Sequence, residues 1–138
     1  MAKFEKGLTL FEECLSVLGA CRVIVLEEDK KKIMHEFCER FPIAWYGRID
    51  WAAMDKKHSI VVLSDIQVAL KQANKSGDAP IYLIWSHGDD PMIETDLGDV
   101  LCNLEDVDAV SPDKWLYCPS EGWVVEIFHD GDITLGIL

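Results

Sequence analysis

The chain has 138 residues, 49% of them hydrophobic, and a formal net charge of −12, which fit a single folded domain over residues 1–138 and exclude a disordered chain. The five cysteines are odd in number and lack CxxC spacing, which excludes a disulfide framework and a zinc ribbon. Residues 1–7 form no apolar signal segment and no uncharged stretch approaches about 18 residues, so we expect a cytoplasmic protein without a membrane span.

The first third of the chain predicts two helices with strands between and after them. Apolar residues at three- and four-residue steps predict an amphipathic helix over 8–18. The run 22–26 predicts a buried strand, and the acids at 27–29 favour the start of a second helix that continues to residue 41. Aromatic and β-branched residues at 43–51 predict another strand.

The middle of the chain alternates strands and helices. The predicted elements are a strand at 58–63, a helix at 64–73, a central strand at 81–85, a short strand at 92–95 and a helix at 96–104. Ser64 and Asp96 are expected to cap the two helices, because their side-chain oxygens can accept from free backbone N–H groups in the first turn.

The last third is rich in strands. Three strands with tight connections are predicted at 114–118, 123–129 and 133–137. The pair Asp130-Gly131 favours a type I′ turn, so the last two strands should form a hairpin. The order of elements predicts an α+β fold: a single domain with a mixed or largely antiparallel sheet, packed helices and a β-rich C-terminal third that ends in a hairpin.

Two loops carry residue types that are used in catalysis and metal binding. Residues 86–90 read SHGDD, but a Ser-His-Asp triad is assembled from distant segments, so a turn explains this run better. His87 and His129, with the aspartates beside them, include hard and borderline metal ligands. A small metal-assisted hydrolase is therefore one alternative, although the spacing matches no EF-hand or HExxH motif. No cofactor is predicted, because phosphate-binding glycine motifs are absent.

The acidic residues are concentrated in the second half of the chain. Residues 1–77 contain 11 acids and 12 bases, whereas residues 78–138 contain 14 acids and one base, Lys114. A field of this sign attracts cationic partners and repels nucleic acid. A solubility requirement would not depend on which half carries the charge, so we expect the acidic half to bind a basic protein. An adaptor subunit whose charge serves only solubility is the other alternative.

The predicted partner-contacting residues are eight acids and one tryptophan, which stands beside a turn and belongs to a residue type enriched in binding hot spots. They are Asp89, Asp90, Glu94, Asp96, Asp99, Glu105, Asp106, Asp108 and Trp123. The apolar end of the chain, residues 133–138, could be an edge strand that pairs with the partner or with a second copy in a homodimer, or it could be buried centrally.

Three stretches near the C-terminus resemble a known group of proteins. They are residues 81–86 (IYLIWS), 113–116 (DKWL) and 122–136 (GWVVEIFHDGDITLG). In their spacing and their alternation of aromatic and acidic residues they resemble small bacterial immunity proteins of contact-dependent growth inhibition and related polymorphic toxin systems.

The resemblance implies a protein that is not an enzyme. Immunity proteins of this kind bind the C-terminal domain of a toxin, often a basic nuclease that acts on tRNA or DNA, and block its active site or its nucleic-acid groove. Carboxylates of the inhibitor can take the places of phosphates and pair with Arg and Lys of the toxin. We therefore expect an immunity protein that neutralises a cognate cationic toxin domain, a nuclease, through an acidic surface.

Overall fold

A computed structural model describes residues 9–19, 22–85 and 91–138. Within these ranges the chain forms five α-helices, one 3-10 helix and seven strands. The helices are α1 (Leu10–Val17), α2 (Glu27–Arg40), α3 (Asp65–Gln72), α4 (Leu97–Cys102) and α5 (Leu104–Val110), and the 3-10 helix is Trp51–Ala53. The strands are β1 (Val23–Ile24), β2 (Lys57–Ile60), β3 (Ile81–Trp85), β4 (Ile93–Thr95), β5 (Lys114–Cys118), β6 (Trp123–Ile127) and β7 (Ile133–Ile137).

The seven strands form one sheet in the order β1-β4-β3-β5-β6-β7-β2, and every neighbouring pair is antiparallel. This sheet confirms the predicted α+β fold. β6 and β7 form the predicted hairpin, but the predicted type I′ turn is wrong. Of the pair Asp130-Gly131, only Gly131 has a positive φ, +92°, and its N–H donates to the Phe128 carbonyl at 3.0 Å. β7 also pairs with β2, so the C-terminal strand lies inside the sheet and is not an edge that is open to a partner.

Helices and a long connection cover both faces of the sheet. α1, α3, α4 and α5 pack on one face, over a core that includes Leu116 and Val125. α2 and the segment 42–54 pack on the other face, against side chains such as Trp115 and Val124. Because both faces are covered, every residue of β5 and β6 is buried, which explains why these strands read as nearly continuous apolar runs.

Glu126 is a buried acid on β6, and its carboxylate holds the segment 42–54 against the sheet. The indole N–H groups of Trp115 and Trp51 donate to it, each at 3.0 Å. The backbone N–H of Ile49 donates to Oε2 at 2.9 Å. Arg48 donates to Oε1 through Nε at 2.9 Å and places Nη2 at 2.9 Å from the same oxygen. Burying this charge is tolerated because donors surround both of its oxygens.

The predicted strand over 43–51 is wrong. Ile43 and Ile49 form an isolated antiparallel bridge around a turn, in which Gly47 has φ +88°. The chain then enters the 3-10 helix at Trp51. Of the aromatic and β-branched residues that suggested a strand, Ile43, Ile49 and Trp51 pack in the core, and the last two also donate to Glu126. Trp45 and Tyr46 are exposed instead.

The predicted strand over 22–26 is too long, and its burial is wrong. Only Val23 and Ile24 pair with β4, and both side chains are exposed because β1 is a two-residue edge strand. Val25, the residue that follows, is buried and belongs to the core beneath α2. The apolar run therefore marks the edge of the sheet and not its centre.

The predicted caps and the predicted fourth helix also differ from the structure. Ser64 and Asp96 precede α3 and α4 as predicted, but neither side chain makes a capping hydrogen bond. The helix expected over 96–104 is divided into α4 and α5 at Asn103, whose side-chain amide donates to the Asp99 carbonyl at 2.8 Å. This division adds a second short acidic helix on the same face of the sheet.

Replacing Glu126 with Gln should strongly destabilise this fold. The amide keeps one acceptor oxygen, but its NH₂ group would face the donors that now surround the carboxylate, and Arg48 would lose its counter-ion. We expect the free energy of unfolding to fall by about 3 kcal/mol or more. Urea denaturation followed by tryptophan fluorescence measures this change.

The control for this experiment is Asp132→Asn on the exposed β6–β7 turn. Removing this surface charge should change the free energy of unfolding by less than about 0.5 kcal/mol. Equal stability of the two variants would contradict the structural role of Glu126.

Candidate partner-binding surface

Five of the eight predicted acids come together on α4 and α5, or directly before them. They are Asp96, Asp99, Glu105, Asp106 and Asp108. Glu105 and Asp108 are exposed, and the other three are half-buried. Asp89 and Asp90 lie outside the described residues. The structure thus brings most of the predicted set onto one face of the molecule.

α1 adds two acids that are not among the predicted partner-contacting residues. α1 packs against α5, and the Asp99 carboxylate lies so close to Gly19 that a Cβ there would be 2.7 Å from Oδ2. Glu12 and Glu13 are exposed on α1. When charge is summed along the sequence, Glu12 and Glu13 are counted with the bases of the first half, and the sum conceals them. The amphipathic pattern of α1, which predicts a surface helix, is the signal that could have identified them.

We call the exposed side of α1, α4 and α5 the acidic layer. These three helices contain no Lys or Arg. The residues of the acidic layer are Glu12, Glu13, Asp96, Asp99, Glu105, Asp106 and Asp108. Because the helices that carry these acids offer no cation, the layer presents charge of a single sign to an approaching molecule.

Asp108 differs from the other acids of the layer because it compensates a buried charge. The Lys114 side chain is 0% exposed, and its Nζ lies 2.6 Å from Oδ1 of Asp108. The same ammonium donates to the Pro112 carbonyl at 2.8 Å. Asp108 therefore stabilises the start of β5, and part of its charge is neutralised from within.

Two ionisable groups on α1 respond to this environment. Burial, and after it the negative charge of Asp106, raise the pKa of the Cys14 thiol to about 11. This thiol is therefore protonated and unreactive near neutral pH. Hydrogen bonds from the backbone N–H and the hydroxyl of Thr9, each 3.0 Å long, lower the pKa of Glu12, so this capping carboxylate is ionised near neutral pH.

Glu94 belongs to a different surface. It pairs with Tyr82 across β4 and β3, on the face that α2 covers. Both residues line a groove of about 470 Å³ together with Asp29 and the exposed β1. Burial, followed by the charges of Glu94, Glu36 and Asp29, raises the pKa of Tyr82. The predicted grouping of Glu94 with the acids of α4 and α5 does not fit this position.

Trp123 is fully buried in the core. Its indole N–H donates to Oε1 of Glu121 at 3.2 Å. Burial raises the pKa of Glu121, but hydrogen bonds from the backbone N–H and hydroxyl of Ser76 outweigh burial, so that the pKa lies below its ordinary value. The prediction that Trp123 contacts a partner does not fit a side chain with no exposed surface.

The residues considered for a metal site do not assemble in the described part of the chain. His129 places Nδ1 2.9 Å from Oδ1 of the buried Asp113, which also accepts the His129 backbone N–H at 2.7 Å. His87 lies outside the described residues. Within residues 9–19, 22–85 and 91–138, no three His, Cys, Asp or Glu side chains are grouped to hold a metal ion. Over these same ranges, no helix has the length and apolarity to cross a bilayer.

Comparison with protein families gives a match over nearly the whole chain. The family model described as CdiI immunity protein EcoliA0-like matches residues 8–136. No curated protein matches the chain. The family match includes α1, strands β1 to β6 and all but the last residue of β7, so it covers the sheet and the acidic layer together.

Asp108 and Glu105 should differ in their effect on stability although they lie on the same short helix. Asp108→Asn removes the counter-ion of a fully buried ammonium, so we expect the free energy of unfolding to fall by about 1–3 kcal/mol. Glu105→Gln, at an exposed position, should change it by less than about 0.5 kcal/mol. Chemical denaturation of both variants makes the comparison. If Asp108→Asn leaves the free energy of unfolding unchanged, Asp108 does not stabilise the buried Lys114.

Proposed function

The chain belongs to the CdiI immunity protein family, and we propose that it neutralises a cationic toxin domain with nuclease activity by binding that domain through the acidic layer. Membership of the family makes the chain a toxin-neutralising immunity protein, a class that is generally non-catalytic. The finer proposal depends on one observation: α1, α4 and α5 carry seven acids at or beside their exposed sides and no basic residue.

Charge of one sign on one face supports a cationic partner. Opposite charges on two proteins steer their encounter and raise the association rate, whereas like charges exclude wrong partners. The acidic layer is made by three neighbouring helices, two of which, α1 and α5, pack directly against each other. The helix positions that carry its acids are therefore fixed relative to one another, so the layer can meet several Lys or Arg side chains at once.

A nuclease is the toxin class that this chemistry fits best. A nuclease must bind phosphates, which it does with Arg and Lys side chains. Carboxylates pair with the same side chains, bidentately in the case of Arg, so an acidic inhibitor can occupy the groove that nucleic acid would otherwise enter. The same carboxylates repel nucleic acid, so the inhibitor does not itself act as a nucleic-acid-binding protein.

Reversing charge in the acidic layer should slow binding to the toxin domain encoded beside this gene. The variant Glu13→Lys/Glu105→Lys changes two exposed acids and reduces the net charge from −12 to −8. We expect its association rate at about 50 mM salt to be about tenfold lower and less dependent on salt. Stopped-flow mixing at about 50 and 500 mM salt measures both quantities.

The matched control is Glu39→Lys/Asp55→Lys, which changes the net charge equally at two exposed positions outside the acidic layer. This control should keep an association rate close to that of the natural protein. If both double variants slow association to the same extent, then total charge matters and the acidic layer is not the binding surface.

Two exposed thiols allow an independent test by steric blocking. Cys102 lies on α4 within the acidic layer, and Cys38 lies on α2 on the opposite face of the sheet. In variants that carry Cys21→Ser and keep only one of these two exposed thiols, a polyethylene glycol maleimide can be attached at one face at a time. Attachment at Cys102 should prevent toxin binding in calorimetric titration, because the polymer covers the layer.

Attachment of the same polymer at Cys38 should leave toxin binding intact. Cys14 and Cys118 are buried and should not react with the reagent. Full binding after attachment at Cys102 would rule out the acidic layer as the interface. Loss of toxin binding only after attachment at Cys38 would place the interface on the α2 face.

A further inference from the structure

Two neighbouring aromatic residues are exposed at the turn that joins Ile43 to Ile49. Trp45 is 95% exposed and Tyr46 is 58% exposed, the largest exposures among the aromatic residues of the described chain. Their rings contact each other in an edge-to-face arrangement, with centroids 5.4 Å apart. An exposed pair of this size is a costly feature for a protein that has no partner at that position, because its apolar surface remains in water.

The turn that carries these rings is fixed by its own backbone. The Ala44 N–H donates to the Arg48 carbonyl at 2.7 Å, and the Gly47 N–H donates to the Ala44 carbonyl at 3.0 Å. Gly47 adopts φ +88°, a conformation that L side chains rarely take. The backbone bonds that close the turn do not involve the rings of Trp45 and Tyr46, so the aromatic side chains contribute little to the fold itself.

Arg48 connects the turn to the rest of the molecule. Its guanidinium reaches the buried Glu126 through Nε and Nη2 and lies over the Phe128 ring, with 3.9 Å from Cζ to the centroid. Nη1 lies 3.6 Å from Oδ2 of Asp130. The aromatic turn therefore stands beside the β6–β7 turn, where Asp130 and Asp132 are exposed.

We infer that Trp45 and Tyr46 form the apolar anchor of the interface with the cationic toxin domain, an inference that rests on the proposed function. Rigid aromatic side chains lose little conformational entropy on binding and are enriched among the residues that dominate interface energy. A Lys or Arg of the toxin can stack on the face of Trp45 while it meets the carboxylates of the β6–β7 turn. The acidic layer would then set the association rate, and the aromatic turn would slow dissociation.

A cleft brings the aromatic turn and the acidic layer within reach of one partner. It has a volume of about 270 Å³ and is lined by Asp108 and Pro112 at the end of α5 and by Phe128 and His129 at the start of the β6–β7 turn. Phe128 is the residue on which Arg48 stacks. A single toxin surface can therefore extend from α5 across the cleft to Trp45.

The surrounding charge favours a cationic toxin over a second copy of this chain. Two copies that met through Trp45 would bring their exposed Asp130 and Asp132 side chains together, and each copy carries a net charge of −12. Like charges across an interface oppose association, whereas a cationic partner would compensate these carboxylates.

Trp45→Ala tests the inference. The variant should keep the thermal unfolding midpoint of the natural protein, because the Trp45 ring makes no core contact. It should bind the toxin domain encoded beside this gene about 30-fold more weakly or worse, through faster dissociation, with an unchanged association rate and salt dependence. Stopped-flow mixing and calorimetric titration measure these changes, and Tyr46→Ala should act in the same direction with a smaller effect.

The control is Leu26→Ala, which removes an apolar side chain that is 63% exposed between β1 and α2, away from the aromatic turn. This variant should bind like the natural protein. If the natural protein binds and Trp45→Ala binds equally well, the inference is wrong while the proposed function stands. If the natural protein itself does not bind, the proposed function fails. Self-association in sedimentation velocity that Trp45→Ala abolishes would assign the turn to a second copy and overturn the inference.

Discussion

The carboxylate of Glu126 is the interaction on which one whole layer of this protein depends. It gathers the guanidinium of Arg48, the Ile49 N–H and two indole N–H groups around one position on β6. An apolar residue at position 126 would pack against the same neighbours without the cost of burying a charge. It would not, however, determine which backbone groups of the segment 42–54 face the sheet. The charge therefore contributes to the uniqueness of the structure, and it orients the turn that exposes Trp45.

Burial also changes how the acidity of the chain should be interpreted. Of the 14 acids in residues 78–138, Asp113 and Glu126 are buried, and Asp108 compensates the buried Lys114. The formal charge of this half therefore overstates the charge on its surface. Glu12 and Glu13 have the opposite effect on the surface charge. They belong to the first half of the chain, but α1 packs against α5 and so adds them to the acids of the second half. The surface field results from packing, and the charge of a segment of chain predicts it only in part.

The elements that the sequence predicts well are those specified by local patterns. The hairpin of β6 and β7 lies at the turn marked by Asp130-Gly131, although the turn is not of type I′, and the continuous apolar run of β3 indicates a central strand. The errors occur where a distant residue decides the structure. Ile49 and Trp51 suggest a strand by composition, yet their N–H groups bind an acid 77 and 75 residues away. The burial of Trp123 likewise depends on helices that local sequence does not place against it.

The two surfaces that we assign to the toxin share one structural support. Lys114 and Trp115 are neighbours on β5, so their side chains point to opposite faces of the sheet. Lys114 fixes Asp108 of α5 on one face, and Trp115 donates to Glu126, its register partner, on the other face. The acidic layer and the aromatic turn are thus attached to adjacent positions of a single strand pair that is buried throughout. A partner that contacts both surfaces meets them at a fixed separation, because the β5–β6 ladder cannot shift by one residue without exchanging the two faces.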